Sequence, residues 1–168
     1  TWLSSRDSLF VIPEFGQTPE IYYTDAEDRV FSHIELYHRR DLLKIFLSTD
    51  DGTVIMIDGE GNTTELSVAG TPAVMKYNAS DESLWILGVD KQDTYSVYRY
   101  DGISVEKMLG DLVRVYDIAV NPVSNECLVP DYSTEIVYTI DPTGDIRSKK
   151  NVAGRIYQVV AQSVVDPG

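Results

Sequence analysis

Two histidines, His33 and His38, stand five residues apart around Ile34-Glu35-Leu36-Tyr37. In an extended chain successive side chains alternate between faces, so an odd spacing sends the two imidazoles to opposite sides and leaves them poorly placed to share a metal ion. They read as surface or turn histidines. Cys127 is the only cysteine, which excludes an intrachain disulfide and any cysteine-based metal site. It lies in the apolar run Cys127-Leu128-Val129, where a small buried hydrophobe is expected rather than a nucleophile. No Gly-x-Ser-x-Gly elbow, phosphate-binding glycine loop or His-Glu-x-x-His motif occurs, so the sequence offers none of the usual local machinery for acyl transfer, nucleotide binding or zinc hydrolysis. Asp141-Pro-Thr-Gly-Asp145 has a superficial likeness to part of a calcium loop, but it lacks the alternating ligands and the terminal Glu of one and reads as a turn. No catalytic, cofactor-binding or metal-ligating residue is assigned, and no cofactor is implied.

What positions the polar residues is a repeat. Val54-Ile55-Met56-Ile57-Asp58-Gly59, Val97-Tyr98-Arg99-Tyr100-Asp101-Gly102 and Val137-Tyr138-Thr139-Ile140-Asp141-Pro142-Thr143-Gly144 end alike, with their aspartates 43 and 40 residues apart. β-branched and aromatic runs of this length suit a pleated surface packed on one or both faces. The Asp-Gly endings suit chain reversal, since Gly reaches positive φ and Asp bonds its own turn backbone. Asp58, Asp101 and Asp141 are therefore turn-formers before they are ligands or catalysts. After each ending come two further runs joined through small residues, Ala69-Gly70, Gly110 or Ala153-Gly154, then a turn and another run, such as Leu84-Trp85-Ile86-Leu87 or Cys127-Leu128-Val129. One unit is thus four strands, and a period near forty marks a repeat architecture.

A fourth unit opens the chain. Leu9-Phe10-Val11-Ile12-Pro13-Glu14-Phe15 and Glu20-Ile21-Tyr22-Tyr23-Thr24-Asp25 parallel Leu128-Val129-Pro130-Asp131-Tyr132 and Glu135-Ile136-Val137-Tyr138-Thr139-Ile140-Asp141, yet Asp25 precedes Asp58 by only 33 residues. This unit has lost about a strand or has a shortened connection. The chain ends on Ile156 to Gln162, a run that matches the first strand of a unit. The repeats expected are 9–28 completed by 155–162, then 29–70, 71–111 and 112–154, all within one domain over 1–168. The fold class is all-β and β-propeller-like, with about four four-stranded antiparallel blades. The two alternatives are a small closed ring whose N- and C-terminal strands share a blade, and a fragment of a larger propeller that more polypeptide completes.

The repeated ending and its turns resemble those of propellers with short, loosely conserved repeats, the NHL-type, SMP-30/gluconolactonase-like and streptogramin-lyase-like groups. The resemblance runs from Leu9 to Gln162 and is architectural; no Trp-Asp repeat and no kelch-type double glycine accompanies it. It implies a central channel lined by the first strands of the units, so Glu35, Asp117 and Lys76, which fall on those runs, are the residues to inspect for a bound metal or ligand.

The 168 residues are 43% hydrophobic and 24% charged, enough apolar content for one packed domain. A net charge of −13 repels a phosphate backbone and disfavours nucleic acid as a partner. It is spread over turns such as Asp25-Ala26-Glu27-Asp28, Asp50-Asp51 and Asp81-Glu82, as solubility requires. No run approaches the roughly 18 apolar residues of a membrane-spanning helix, so no membrane insertion is expected. Most aromatic residues, among them Tyr98, Tyr138 and Trp85, lie inside strand runs and belong to packing. Asn62-Thr-Thr and Asn78-Ala-Ser match the glycosylation acceptor pattern without fixing a compartment. The leading expectation is a non-catalytic protein-interaction or scaffolding domain, part of a larger chain or assembly, with a protein partner or self-association. The alternatives are a metal-assisted propeller enzyme of lactonase or lyase type and a ligand-sensing receptor ectodomain.

Overall fold

Runs of alternating burial, cut by aspartate-capped turns, fold here into sheets within which each strand pairs antiparallel with the next. The computed structural model describes residues 2–4, 7–11, 18, 20–39, 42–154 and 156–160. The first sheet holds β1 (Trp2–Ser4), β2 (Ser8–Val11) and β3 (Glu20–Thr24). The second holds β4 (Phe31–Arg39), β5 (Leu42–Thr49), β6 (Thr53–Asp58) and β7 (Thr63–Ser67). The third holds β8 (Thr71–Asn78), β9 (Ser83–Val89), β10 (Tyr95–Tyr100) and β11 (Val105–Leu112). The fourth holds β12 (Ala119–Val120), β13 (Cys127–Asp131), β14 (Ile136–Ile140) and β15 (Ile146–Asn151). The all-β, propeller-like architecture is as expected, with three sheets of four strands and a first sheet of three among the described residues.

Period-two alternation explains how these sheets stack. On β5, Ile45 and Leu47 face the first sheet and Phe46 faces the third; on β9, Leu84 and Ile86 face the second sheet while Trp85 and Leu87 face the fourth. Each middle sheet is therefore apolar on both sides, which is why its strands read as continuous hydrophobic runs. Three cores result. Leu9, Phe31, Ile55 and Ile57 join the first sheet to the second, Val54, Met75, Tyr98 and Tyr100 join the second to the third, and Val97, Ile118, Cys127 and Val129 join the third to the fourth. Among the described residues no core cluster joins the fourth sheet to the first.

The first unit departs from the expected arrangement. The place beside Ser8–Val11, expected for residues 155–162, is held by Trp2–Ser4, with Trp2 paired to Val11 and Leu3 to Phe10. Among the described residues the strand missing from the first sheet is the outermost one, because the chain leaves Thr24 through the short 25–30 connection directly into β4. Residues 12–17 of the opening run, and 161 and 162 of the closing one, lie outside the described residues. Ile156–Val160 is described, forms no strand, and runs beside Asp117, Ile118 and Ala119 of the fourth sheet's inner edge.

Candidate functional site: inner strands and the loop end of the fourth sheet

The inner strands bring together the polar residues that the propeller resemblance singled out. His33 and Glu35 project from β4 toward the third sheet, Lys76 from β8 toward the fourth, and Asp117 lies in the connection just before β12. A Glu35 carboxylate oxygen accepts the Tyr77 backbone N–H at 3.1 Å. Lys76 Nζ sits 3.8 Å from Asp117 Oδ1. Burial raises the Glu35 carboxyl pKa against the pull of that N–H and of Lys76. Burial also lowers the His33 imidazole, aided by the Lys76 charge and opposed by Asp117. His38 is exposed at the far end of β4, so the structure separates the two histidines as their spacing requires. The resulting strip of imidazole, carboxyl, ammonium and carboxylate can hold a polar ligand by hydrogen bonds. Among the described residues no group of three or more His, Cys, Asp or Glu side chains is arranged to hold a metal ion.

The recurring aspartates sit where turn chemistry puts them. Asp58 accepts the backbone N–H groups of Glu60 and Asn62, each at 2.9 Å, and Asp101 those of Ile103 and Ser104, also at 2.9 Å. Asp141 accepts those of Thr143 and Asp145 at 2.9 Å, together with the Thr143 hydroxyl at 2.7 Å and the Arg147 guanidinium. These donors favour the ionised form. The Thr143 hydroxyl first, then the backbone N–H groups, hold Asp141 at about 2; Asn62 lowers Asp58 and the Ser104 N–H lowers Asp101. Cys127 is fully buried and its thiol pKa is raised by that burial. Of the two glycosylation acceptor patterns, Asn62 is exposed in a turn, whereas Asn78 is 2% exposed and its amide is engaged by Asn125 and Ser80.

A second feature escaped the sequence reading. Tyr116, Tyr132 and Tyr157 meet at the loop end of the fourth sheet, with ring centroids 5.3 Å apart edge-on for 116 and 132, 5.6 Å stacked for 116 and 157, and 5.1 Å for 132 and 157. Tyr116 is 44% and Tyr157 58% exposed. The Tyr132 and Tyr157 hydroxyls lie 3.3 Å apart. Tyr98 and Trp85, by contrast, are packed into cores as expected. The available signal was the repeat itself, since Val115-Tyr116-Asp117-Ile118 and Ile156-Tyr157-Gln158-Val159 match position for position. Tyr132 comes to them through the β13–β14 turn.

No family model matches the chain, and no curated protein matches it. Solved structures do. The BBS1N chain in its complex with ARL6DN superposes with a TM-score of 0.72 at 11% identity, over 99% of this chain and 54% of that one. The β-propeller domain of Cps50 (Swd1) from Myceliophteria thermophila gives 0.63 at 15% identity, over 93% and 57%. Regucalcin from Agrobacterium tumefaciens, a calcium-binding protein, gives 0.59 at 15% identity, over 87% and 52%. These likenesses establish the β-propeller fold. The chain spans about half the length of the solved chains it matches. No helix among the described residues is long and apolar enough to cross a membrane.

Proposed function

We propose that this chain is a non-catalytic protein-interaction or scaffolding segment of β-propeller type that works within a larger chain or assembly. The observation that supports this is the half-built junction beyond the fourth sheet. Leu128, Val137 and Thr139, on the face turned away from the third sheet, are only half-buried, whereas Trp85, Leu87 and Val97, facing onward from the third sheet, are fully buried. The same contrast appears on the inner side. Val115 and Ile118 are 2% and 0% exposed, while Ile156 and Val159 at the matching positions are half-buried and Val160 is 76% exposed. A face patterned like a blade junction, with no blade described on it, is a surface for further polypeptide. Two of the structures this chain resembles are themselves parts of complexes, BBS1N with ARL6DN and a chain of the mitotic checkpoint complex.

Light scattering on the purified chain over a wide concentration range tests the reading. Self-association is expected, because an open apolar sheet face finds a partner in a second copy when nothing else is present. Leu128→Lys with Val137→Lys, which charges the open face without touching the three cores, is expected to reduce it. A monomer at every concentration, indifferent to those substitutions, would show that the face needs no cover.

A further inference from the structure

We propose that the open face of the fourth sheet is covered by the first sheet of a second copy of this chain, two copies of four sheets each closing head to tail into one ring. This deepens the interaction reading and rests on it. The chain carries an unmatched apolar face at each end of its stack. On the fourth sheet Leu128 pairs with Thr139 across β13 and β14, and Val137 shares their side, opposite the core residues Cys127 and Val129. On the first sheet Phe10 and Ile21 are a cross-strand pair of β2 and β3, opposite Leu9 and Tyr23, which pack toward the second sheet. Phe10 is half-buried and Ile21 66% exposed. Among the described residues no core cluster covers either face.

A second copy fits these faces in sense, length and charge. One face leads and the other trails along the stack, so the junction used inside the chain, an onward face on the next sheet's backward face, can form between chains. A half-turn about the ring axis then forms it a second time and leaves no face open. The four sheets superpose on 54% of the BBS1N chain and 57% of the Cps50 (Swd1) propeller. They therefore follow an arc that an equal arc closes, and twice four sheets lies within the roughly four to eight blades of propellers. At a net charge of −13 like charge opposes self-association. The described strand residues on the two open faces nevertheless include no acid, and Lys150, paired with Val137, lies on that of the fourth sheet.

Sedimentation velocity over a wide concentration range, on the native chain and on Ile21→Lys and Thr139→Glu, tests the ring. The native chain is expected to reach the mass of two chains and go no further. Each variant is expected to pair about tenfold more weakly, because it buries a charge at both junctions. An equimolar mixture of the two is expected to recover pairing, since one junction then sets Lys against Glu and the other is native. Growth beyond two chains, a mixture no stronger than its components, or unweakened pairing of Ile21→Lys would overturn the proposal. The last result would mean that fourth sheets meet each other, and would leave the interaction reading standing; a monomer at every concentration would remove both. If a charged variant does not fold, a short bismaleimide decides. The chain carrying both Ile21→Cys and Thr139→Cys is expected to give cross-linked pairs and neither single variant to give any, Cys127 being buried. Pairs from Thr139→Cys alone, or none from the double variant, would refute the ring.

Discussion

Replacing Arg29 with Ala removes the cation that ties the first sheet to the second. The Arg29 side chain is 8% exposed and Asp25 beside it 2%. The guanidinium clasps the carboxylate with Nε 3.1 Å from Oδ2 and Nη2 2.7 Å from Oδ1, and Nη2 also reaches Glu65 of β7 at 2.6 Å. Breaking a buried pair from one side costs about 3–5 kcal/mol, since the remaining charge stays buried. Asp25 would keep the backbone N–H groups of Glu27 and Arg29, which places the expected loss near the lower end, about 3 kcal/mol. Glu65, 51% exposed, contributes far less, and Glu65→Gln should cost about 0–1 kcal/mol. The same clasp sets an acid dependence. Arg29, through its side-chain hydrogen bonds above all, holds Asp25 at about 2 against the burial that would raise it, whereas an unfolded Asp ionises near 3.9. A depressed carboxylate stabilises the fold above its unfolded pKa, and that share, about 2.5 kcal/mol here, fades as the pH falls from near 4 toward 2. Urea unfolding of both chains at neutral pH and through this acid range measures both effects. An Arg29→Ala cost under about 1 kcal/mol, or an unchanged acid dependence, would mean that the clasp is a surface decoration.

Two further outcomes follow from local geometry. Gly70 has φ +89°, and a Cβ there would lie 2.3 Å from the Val89 carbonyl oxygen, whereas at Gly61, φ +83°, a Cβ meets nothing within 4 Å. Gly70→Ala should therefore cost about 2–4 kcal/mol and Gly61→Ala about 1 kcal/mol in the same denaturation assay, and equal costs would show that the contact between the 68–70 connection and the end of β9 relaxes freely. Cys127, fully buried with its thiol pKa raised, should resist a thiol-specific reagent in the native chain and react fully in urea; labelling at the rate of a free thiol under native conditions would place it at the surface.

The fold was legible because two periods are superimposed in the sequence. Residues facing one neighbouring sheet alternate with those facing the other, and the whole pattern recurs at each Asp-ended turn. Asp58, Asp101 and Asp141 revealed the blades because each strand ending requires the same backbone reversal. The first sheet was less legible. Its inner strand, Trp2–Ser4, is too short to carry an alternation of its own, and the outer strand that is missing among the described residues appeared in the sequence only as a shortened interval between Asp25 and Asp58. Glu35, Lys76 and Asp117 were found through the propeller resemblance, since adjacent inner strands must line a common axis. Their pairing, Lys76 with Asp117 and Glu35 with the Tyr77 N–H, depends on which way each strand turns its side chains. The irregular pairing between Phe31 and His33, which resets the faces of β4, leaves no mark in residue type.

The tyrosine cluster was hidden for a different reason. A tyrosine within a β-rich run carries the same local signature whether it packs between sheets, as Tyr98 does, or stands at a sheet's end, as Tyr116 does. What separates the two cases is whether the side chain turns into the core between two sheets or away from it. Tyr98 lies in mid-strand, with the second sheet over its ring and its hydroxyl donating to the Ala69 carbonyl at 3.2 Å. Tyr116 lies in the connection entering β12 and is 44% exposed although its neighbours Val115 and Ile118 are buried in the core, and Tyr157 repeats that position one unit later. These two positions in successive units bring their rings to 5.6 Å, stacked, with Tyr116 44% and Tyr157 58% exposed. The same periodicity thus builds both the core and the aromatic cluster, and which of the two a residue joins is decided by the direction of its side chain, as buried Val115 beside exposed Tyr116 shows.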